Sequence, residues 1–139
     1  MAMAFLSVAA MAQNANKHLA NYLILKEALV NGDSKAASNA ASMLHASLTE
    51  DGAFAQKNEL LRAADAIMKP SGIEPQRATF GELSATMWTM LQGTTVTHPV
   101  YYHYCPKKKA HWVSNEKTIR NPYYGKSMLT CGKVAEMKK

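Results

Sequence analysis

At 139 residues, 47% hydrophobic and 19% charged, the chain has the content of one globular domain with at most a small appended module, and disorder is excluded. Its net charge of +6 is unevenly placed: residues 13–97 carry seven Lys and Arg against eight Asp and Glu, while residues 98–139 carry nine against two. No nucleic-acid-binding motif accompanies the basic part, which argues against RNA or DNA and leaves an acidic protein partner, an anionic surface or solubility.

The chain opens with the uncharged, apolar stretch MAMAFLSVAAMA, ending in Ala10-Met11-Ala12 before Gln13. That pattern reads as the apolar core and cleavage site of a secretory signal without its basic n-region. The expectation is a signal segment over residues 1–12 and a mature chain from about Gln13 that is periplasmic or otherwise exported. The stretch is too short to span a bilayer, and no later segment is apolar enough to do so. In an oxidising compartment the two cysteines are free to pair.

Four helical segments follow from the 3.6-residue period. The first covers about residues 16–30, with Leu19, Tyr22, Leu23, Leu29 and Val30 on one stripe and Lys26 along its edge. Gly32 ends it, and Asp33 or Ser34 caps the second helix, whose inner face is Ala37, Ala40, Ala41, Leu44 and Leu48. The third covers about residues 53–69, with Phe54, Leu61, Ala64, Ile67 and Met68 facing in, and is stopped by Pro70 and Gly72. The fourth starts at Glu74-Pro75, carries Phe80, Leu83, Met87, Met90 and Leu91, and closes at Gly93. Short connections predict an antiparallel, up-down four-helix bundle over residues 13–93.

After Gly93 the pattern changes. VTHPVYYHY suits a strand, SNEKTIR suits one or two helical turns capped by Ser114, NPYYG is a turn, and KSMLTCG is a short strand or a loop. Residues 94–139 have too few apolar side chains for a core of their own. The predicted class is therefore mainly α, with an irregular, short-β C-terminal segment packed on the bundle.

That segment holds both cysteines, Cys105 and Cys131, with 25 residues between them. A disulfide is one reading. The other makes both thiolates ligands of a soft metal, since sulfur donors select Cu(I) and also hold zinc. On a strand His103 would share a face with Cys105 and Tyr104 would turn into the bundle. Met128 can share a side with Cys131 only if MLTCG is not a regular strand. His111 is a weaker candidate beside Trp112. The cations Lys107, Lys108 and Lys109 would favour thiolate at Cys105 but repel a bound cation. Catalytic motifs are missing from the sequence, so no enzyme is expected. His18 and His45 read as surface residues.

The stretch from Val100 to Val134, with Tyr104-Cys105-Pro106, Trp112, Ser114-Asn115-Glu116-Lys117, Asn121-Pro122-Tyr123, Gly125, Met128-Leu129 and Cys131-Gly132, resembles the C-terminal signature of a family of uncharacterised exported bacterial domains, mainly from Bacteroidetes. YLILKEALVNGD and QRATFGELSATMW resemble its helical part. Such domains occur alone or fused to periplasmic adaptor subunits of copper/silver-type heavy-metal efflux pumps. The resemblance implies a helical bundle with a cysteine motif that handles copper or a related cation such as silver. Lys107 stands where the family commonly has methionine, and a protonated lysine cannot bind a metal.

Together these readings predict a non-enzymatic Cu(I)-binding protein, with an efflux adaptor subunit as partner. Cys105 and Cys131 would be its ligands, joined by Met128, then His103, then His111. Trp112 and Tyr123 would anchor the tail, and Asn121-Pro122 and Gly125 would set its turn. The other expectation is a non-catalytic interaction module with a structural disulfide and a basic docking tail.

Overall fold

The structure is a computed structural model describing residues 2–69 and 72–139, with side chains from residue 13 onward. The side chains of the expected signal segment, and the expected helix stop at Pro70, lie outside the described residues. Four helices are followed by a small antiparallel sheet: α1 (Ala2–Val30), α2 (Ser34–Glu50), α3 (Lys57–Met68), α4 (Ile73–Gln92), β1 (Val100–Cys105), β2 (Ala110–Ser114) and β3 (Lys133–Lys138). The protein is mainly α, as its sequence predicts. No helix among the described residues is long and apolar enough to cross a membrane.

Consecutive helices pack on one another, and α4 closes back on α1 and α2. The predicted stripes of α2 and α4 are the buried ones, from Ala37 to Leu48 and from Phe80 to Leu91. Gly32 takes φ 69°, and the Asp33 carboxylate accepts from the Ala36 N–H, so the first turn of α2 is capped as expected. The third helix starts four residues later than its period suggests. Phe54 lies in the preceding turn, where it stacks on His18 instead of lining a helix face.

The sheet order is β2-β1-β3. A strand edge presents unpaired N–H and C=O groups that need partners when buried. The outer edge of β2 meets the helices, and two tyrosines satisfy it. The Val113 N–H donates to the Tyr22 hydroxyl of α1 at 2.9 Å, and the Tyr123 hydroxyl donates to the His111 carbonyl. Tyr22 also bonds Ser84 of α4 at 2.6 Å and stacks on Phe80. On one sheet face Tyr102 lies flat on Trp88 of α4, ring centroids 4.8 Å apart. Such a pair contributes about 0.5–1.5 kcal/mol beyond the area it buries.

Arg77 ties the two parts together from inside. Its Nε donates to the Pro122 carbonyl at 2.9 Å and its Nη2 to the Leu29 carbonyl, at the end of α1, at 2.7 Å. Gly125 presses against this guanidinium at φ 55°, where a Cβ would lie 2.6 Å from Nη2. Through these contacts the tail packs on the helices.

Local structure in the tail differs from the sequence reading. SNEKTIR forms bends and no helical turn, although Ser114 Oγ accepts from the Glu116 N–H as a cap would. The strands β2 and β3 have no counterpart in that reading. Their apolar alternation is short, and pairing with β1 rather than local pattern makes them strands.

Candidate functional site

Cys105 ends β1 and opens the four-residue turn Pro106–Lys109 into β2. Pro106 presets the turn, and the Lys109 N–H donates to the Cys105 carbonyl at 2.8 Å. Lys109 takes φ 55°, a strained value for a lysine. In this turn the N–H groups of Lys107 and Lys108 come to Cys105 Sγ.

Cys131 arrives from the other side. NPYYG makes the predicted turn, followed by a 3₁₀ turn over Gly125–Met128. The Cys131 N–H donates to the Met128 carbonyl at 3.1 Å. MLTCG is therefore not a strand, the condition under which Met128 and Cys131 can share a side. The two sulfurs lie 3.5 Å apart as free thiols, well beyond the roughly 2.05 Å of a disulfide.

Asn121 holds this arrangement with its whole side chain. Its Oδ1 accepts from the N–H groups of Tyr123 at 2.8 Å and Tyr124 at 3.1 Å. Its Nδ2 donates to the Cys131 carbonyl at 2.7 Å, and the amide also bonds Cys105 Sγ. The sequence reading gave Asn121 only the turn; its hold on both cysteines depends on contacts 10 and 16 residues away, invisible to local pattern.

The two thiols are electrostatically unequal. Burial pushes the Cys105 thiol up. Hydrogen bonds from the Lys108 N–H, Asn121, Cys131 and the Lys107 N–H outweigh it and hold Cys105 below the ordinary thiol value. Cys131 is pushed up, because it shares its proton with Cys105 and sits against the charge developing there. The first proton to leave the pair is therefore that of Cys105. The backbone of the lysine turn does this work on Cys105, whereas the Lys107 ammonium acts on Cys131. Cys105 is fully buried and Cys131 half-buried, so any ion reaches the pair from the Cys131 side.

The histidines are placed apart from this pair. His103 shares a face with Cys105 as predicted, but it lies opposite Trp112, its ring edge-on at 5.2 Å. Among the described residues neither ring nitrogen has a hydrogen-bond partner, and neither does Trp112 Nε1. Burial, and then the charge of Lys26, hold His103 down at about 4. His111 is on the opposite face, stacked on Tyr102 at 4.4 Å. Among the described residues no three His, Cys, Asp or Glu side chains gather as a metal-binding group.

Two expectations about burial change. Lys26, expected at a stripe edge, is 3% exposed. His18, expected at the surface, is 1% exposed and bonds Ser47 at 3.0 Å and Asp51 at 2.9 Å. Tyr104 is half-buried on the sheet face of Tyr102, which packs on Trp88 of α4, while His103 on the other face is fully buried. The segment after β2 folds back over that face. For Lys26, His18 and His103 the polar residue lies on a buried stripe or strand, which is the signal a sequence offers.

Gly132 seats Trp112 beside Cys131. At φ 148° a Cβ there would lie 2.8 Å from Trp112 Cη2 and 3.1 Å from the Tyr104 carbonyl oxygen. Gly132→Ala is expected to cost on the order of 2 kcal/mol through strain and overpacking, measured by urea unfolding.

A domain-family profile, described as a protein of unknown function (DUF3347), matches residues 19–98. The match covers more than half of the chain, and the protein belongs to this family. It ends before β1, so the cysteine-bearing hairpin lies outside the matched residues. No curated protein and no solved structure matches the chain.

Proposed function

We propose that this member of the family is a non-enzymatic binding protein for a soft metal ion, Cu(I) before silver or zinc, exported to the periplasm and working beside a heavy-metal efflux adaptor. Its four helices would form an up-down antiparallel bundle that carries the cysteine segment. The observation that supports the reading best is the pair of unbonded sulfurs 3.5 Å apart, with Cys105 favoured as thiolate. Thiolates are the donors Cu(I) prefers. Structural zinc takes four ligands, and among the described residues no third His, Cys, Asp or Glu joins the pair.

Cys105, losing its proton first, is the first ligand. Cys131 follows as its proton leaves, so binding releases protons and strengthens as pH rises. Met128, half-buried in the turn that carries Cys131, is the preferred third donor. His103 and His111 follow in that order. Asn121 and the turn N–H groups would stay on the sulfur and hold it in place.

The second reading is an interaction module. It draws on the same short distance, which a small loop movement would turn into a disulfide, and on the exposed Lys107–Lys109 turn as a docking surface. One titration separates the two. Reduced protein is titrated with Cu(I) against a competing chelator, then the variant carrying Cys105→Ser and Cys131→Ser. The expected result is loss of competitive binding in the variant. Equal affinity in the two proteins sinks the thiolate assignment.

A further inference from the structure

One end of the helical unit holds a half-open pocket of about 470 Å³. It is lined by the part of α1 around Asn14 and His18, by the α2–α3 connection and by the last turn of α4. The volume suits a small organic ligand. None of its lining residues belongs to the sheet or to the loops carrying Cys105 and Cys131.

The hydrogen bonds already made in its walls define what it can accept. The Asp51 carboxylate takes three donors: Asn14 Nδ2 and the Gly52 N–H on Oδ1, both at 2.7 Å, and His18 Nε2 on Oδ2 at 2.9 Å; its backbone carbonyl takes a fourth, the Lys57 ammonium, at 2.5 Å. A carboxylate has about four lone-pair positions, so one remains on Oδ2. Burial pushes this carboxyl up, but its hydrogen bonds to His18, Gly52 and Asn14, with the charge of His18, outweigh that and keep it ionised. The hydroxyl protons of Thr89 and Thr94 are committed to the Ala85 and Met90 carbonyls at 3.1 and 2.9 Å. Both hydroxyls therefore offer the pocket lone pairs only.

The remaining wall is apolar. Phe54 and His18 stack with ring centroids 6.1 Å apart, and Met90 and the alanines of the α2–α3 connection complete it. Two helices, α2 and α4, end at this pocket and bring the negative ends of their dipoles, while α3 alone begins here. Among the described residues no lysine or arginine lines the pocket. His18 does line it: the Ser47 hydroxyl proton goes to the Leu44 carbonyl, so both His18 nitrogens donate, and the imidazolium is paired with Asp51 Oδ2.

The geometry points to a binding site for a small organic ammonium with an apolar body. The ammonium donates to Asp51 Oδ2 and to the threonine hydroxyls, and the apolar part lies against Phe54 and Met90. Phe54 adds a cation–π contribution. This site is separate from the cysteine pair and does not depend on the metal reading.

The test uses the full chain and the probe n-butylammonium, with n-butyrate at matched ionic strength as control. Amide chemical shifts are followed by NMR. The expected result is a saturable shift centred on Gly52, Ala53 and Thr94 with n-butylammonium and none with n-butyrate. Asp51→Asn is expected to weaken binding about tenfold or more, the loss of one hydrogen bond to a charged group. Asp51 also holds His18, so Thr94→Val is the second variant. It leaves the Asp51 network intact and is expected to weaken binding by a smaller factor. Equal shifts from ammonium and carboxylate, no saturable shift in the wild type, or unchanged affinity in Thr94→Val together with a folded Asp51→Asn would each overturn the assignment.

Discussion

Replacing Asn121 with alanine is expected to destabilise the protein by about 3–5 kcal/mol and to raise the Cys105 thiol pKa. The side chain is fully buried and uses all of its hydrogen-bonding capacity. Removing it leaves the Cys131 carbonyl and the N–H groups of Tyr123 and Tyr124 without partners, each at a cost of about 1–3 kcal/mol if water does not enter. The same change takes one donor from Cys105 Sγ, so less of that thiol is ionised at neutral pH. Urea unfolding measures the first effect, and the ultraviolet absorbance of the thiolate across a pH titration measures the second. Asn121→Asp separates the roles: it keeps an acceptor for the two tyrosine N–H groups and loses both donors. It should recover part of the stability while raising the Cys105 pKa further, because a carboxylate then faces the sulfur. An Asn121→Ala protein with wild-type stability and an unchanged thiol titration would remove Asn121 from the site.

The second large effect is a loss of stability in mild acid centred on His103. Burial, and then the Lys26 charge, lower its pKa from 6.5 to about 4 in the folded protein. The unfolded chain keeps the ordinary value. Between those two values the unfolded state binds the extra proton, so stability rises with pH across that window. The His103 contribution is complete above about pH 6.5, falls as pH drops, and is gone below about pH 4. The difference corresponds to on the order of 3 kcal/mol. His103→Leu should abolish this part of the pH dependence and leave stability at pH 7 equal or higher, since an imidazole with two unpartnered nitrogens is replaced by a side chain that needs none. Urea midpoints of the two proteins across the range give the comparison. Parallel curves would show that His103 does not carry the effect.

Much of the helical part is legible in the sequence. The stripes of α2 and α4, the Asp33 cap and the glycine ends follow from periodicity and local backbone preference, both of which act within a few residues. The early end of the α3 pattern is the exception: Phe54 has the right spacing for a helix but is drawn to His18 in a connecting turn. In the tail, the strand at β1 and the NPYYG turn are visible from composition and spacing. The strands β2 and β3 are not, because their partners lie in β1 and their residues alone do not insist on extension.

The candidate site divides the same way. Sequence by itself put Cys105 and Cys131 in one basic, aromatic tail and named Trp112 and Tyr123 as its anchors, because residue chemistry is local information. Only the tertiary structure brought the sulfurs to 3.5 Å, turned His111 to the opposite face and gave Asn121 to both cysteine loops. It also turned three polar residues on apolar stripes, His18, Lys26 and Arg77, into buried groups with definite partners or neighbours. The physical reason is desolvation. A polar side chain on a helix stripe is costly inside unless a distant segment supplies its partner, and here Ser47 and Asp51 do so for His18, and Leu29 and Pro122 for Arg77. That distant supply is the part of this protein that no local reading of its chain contains.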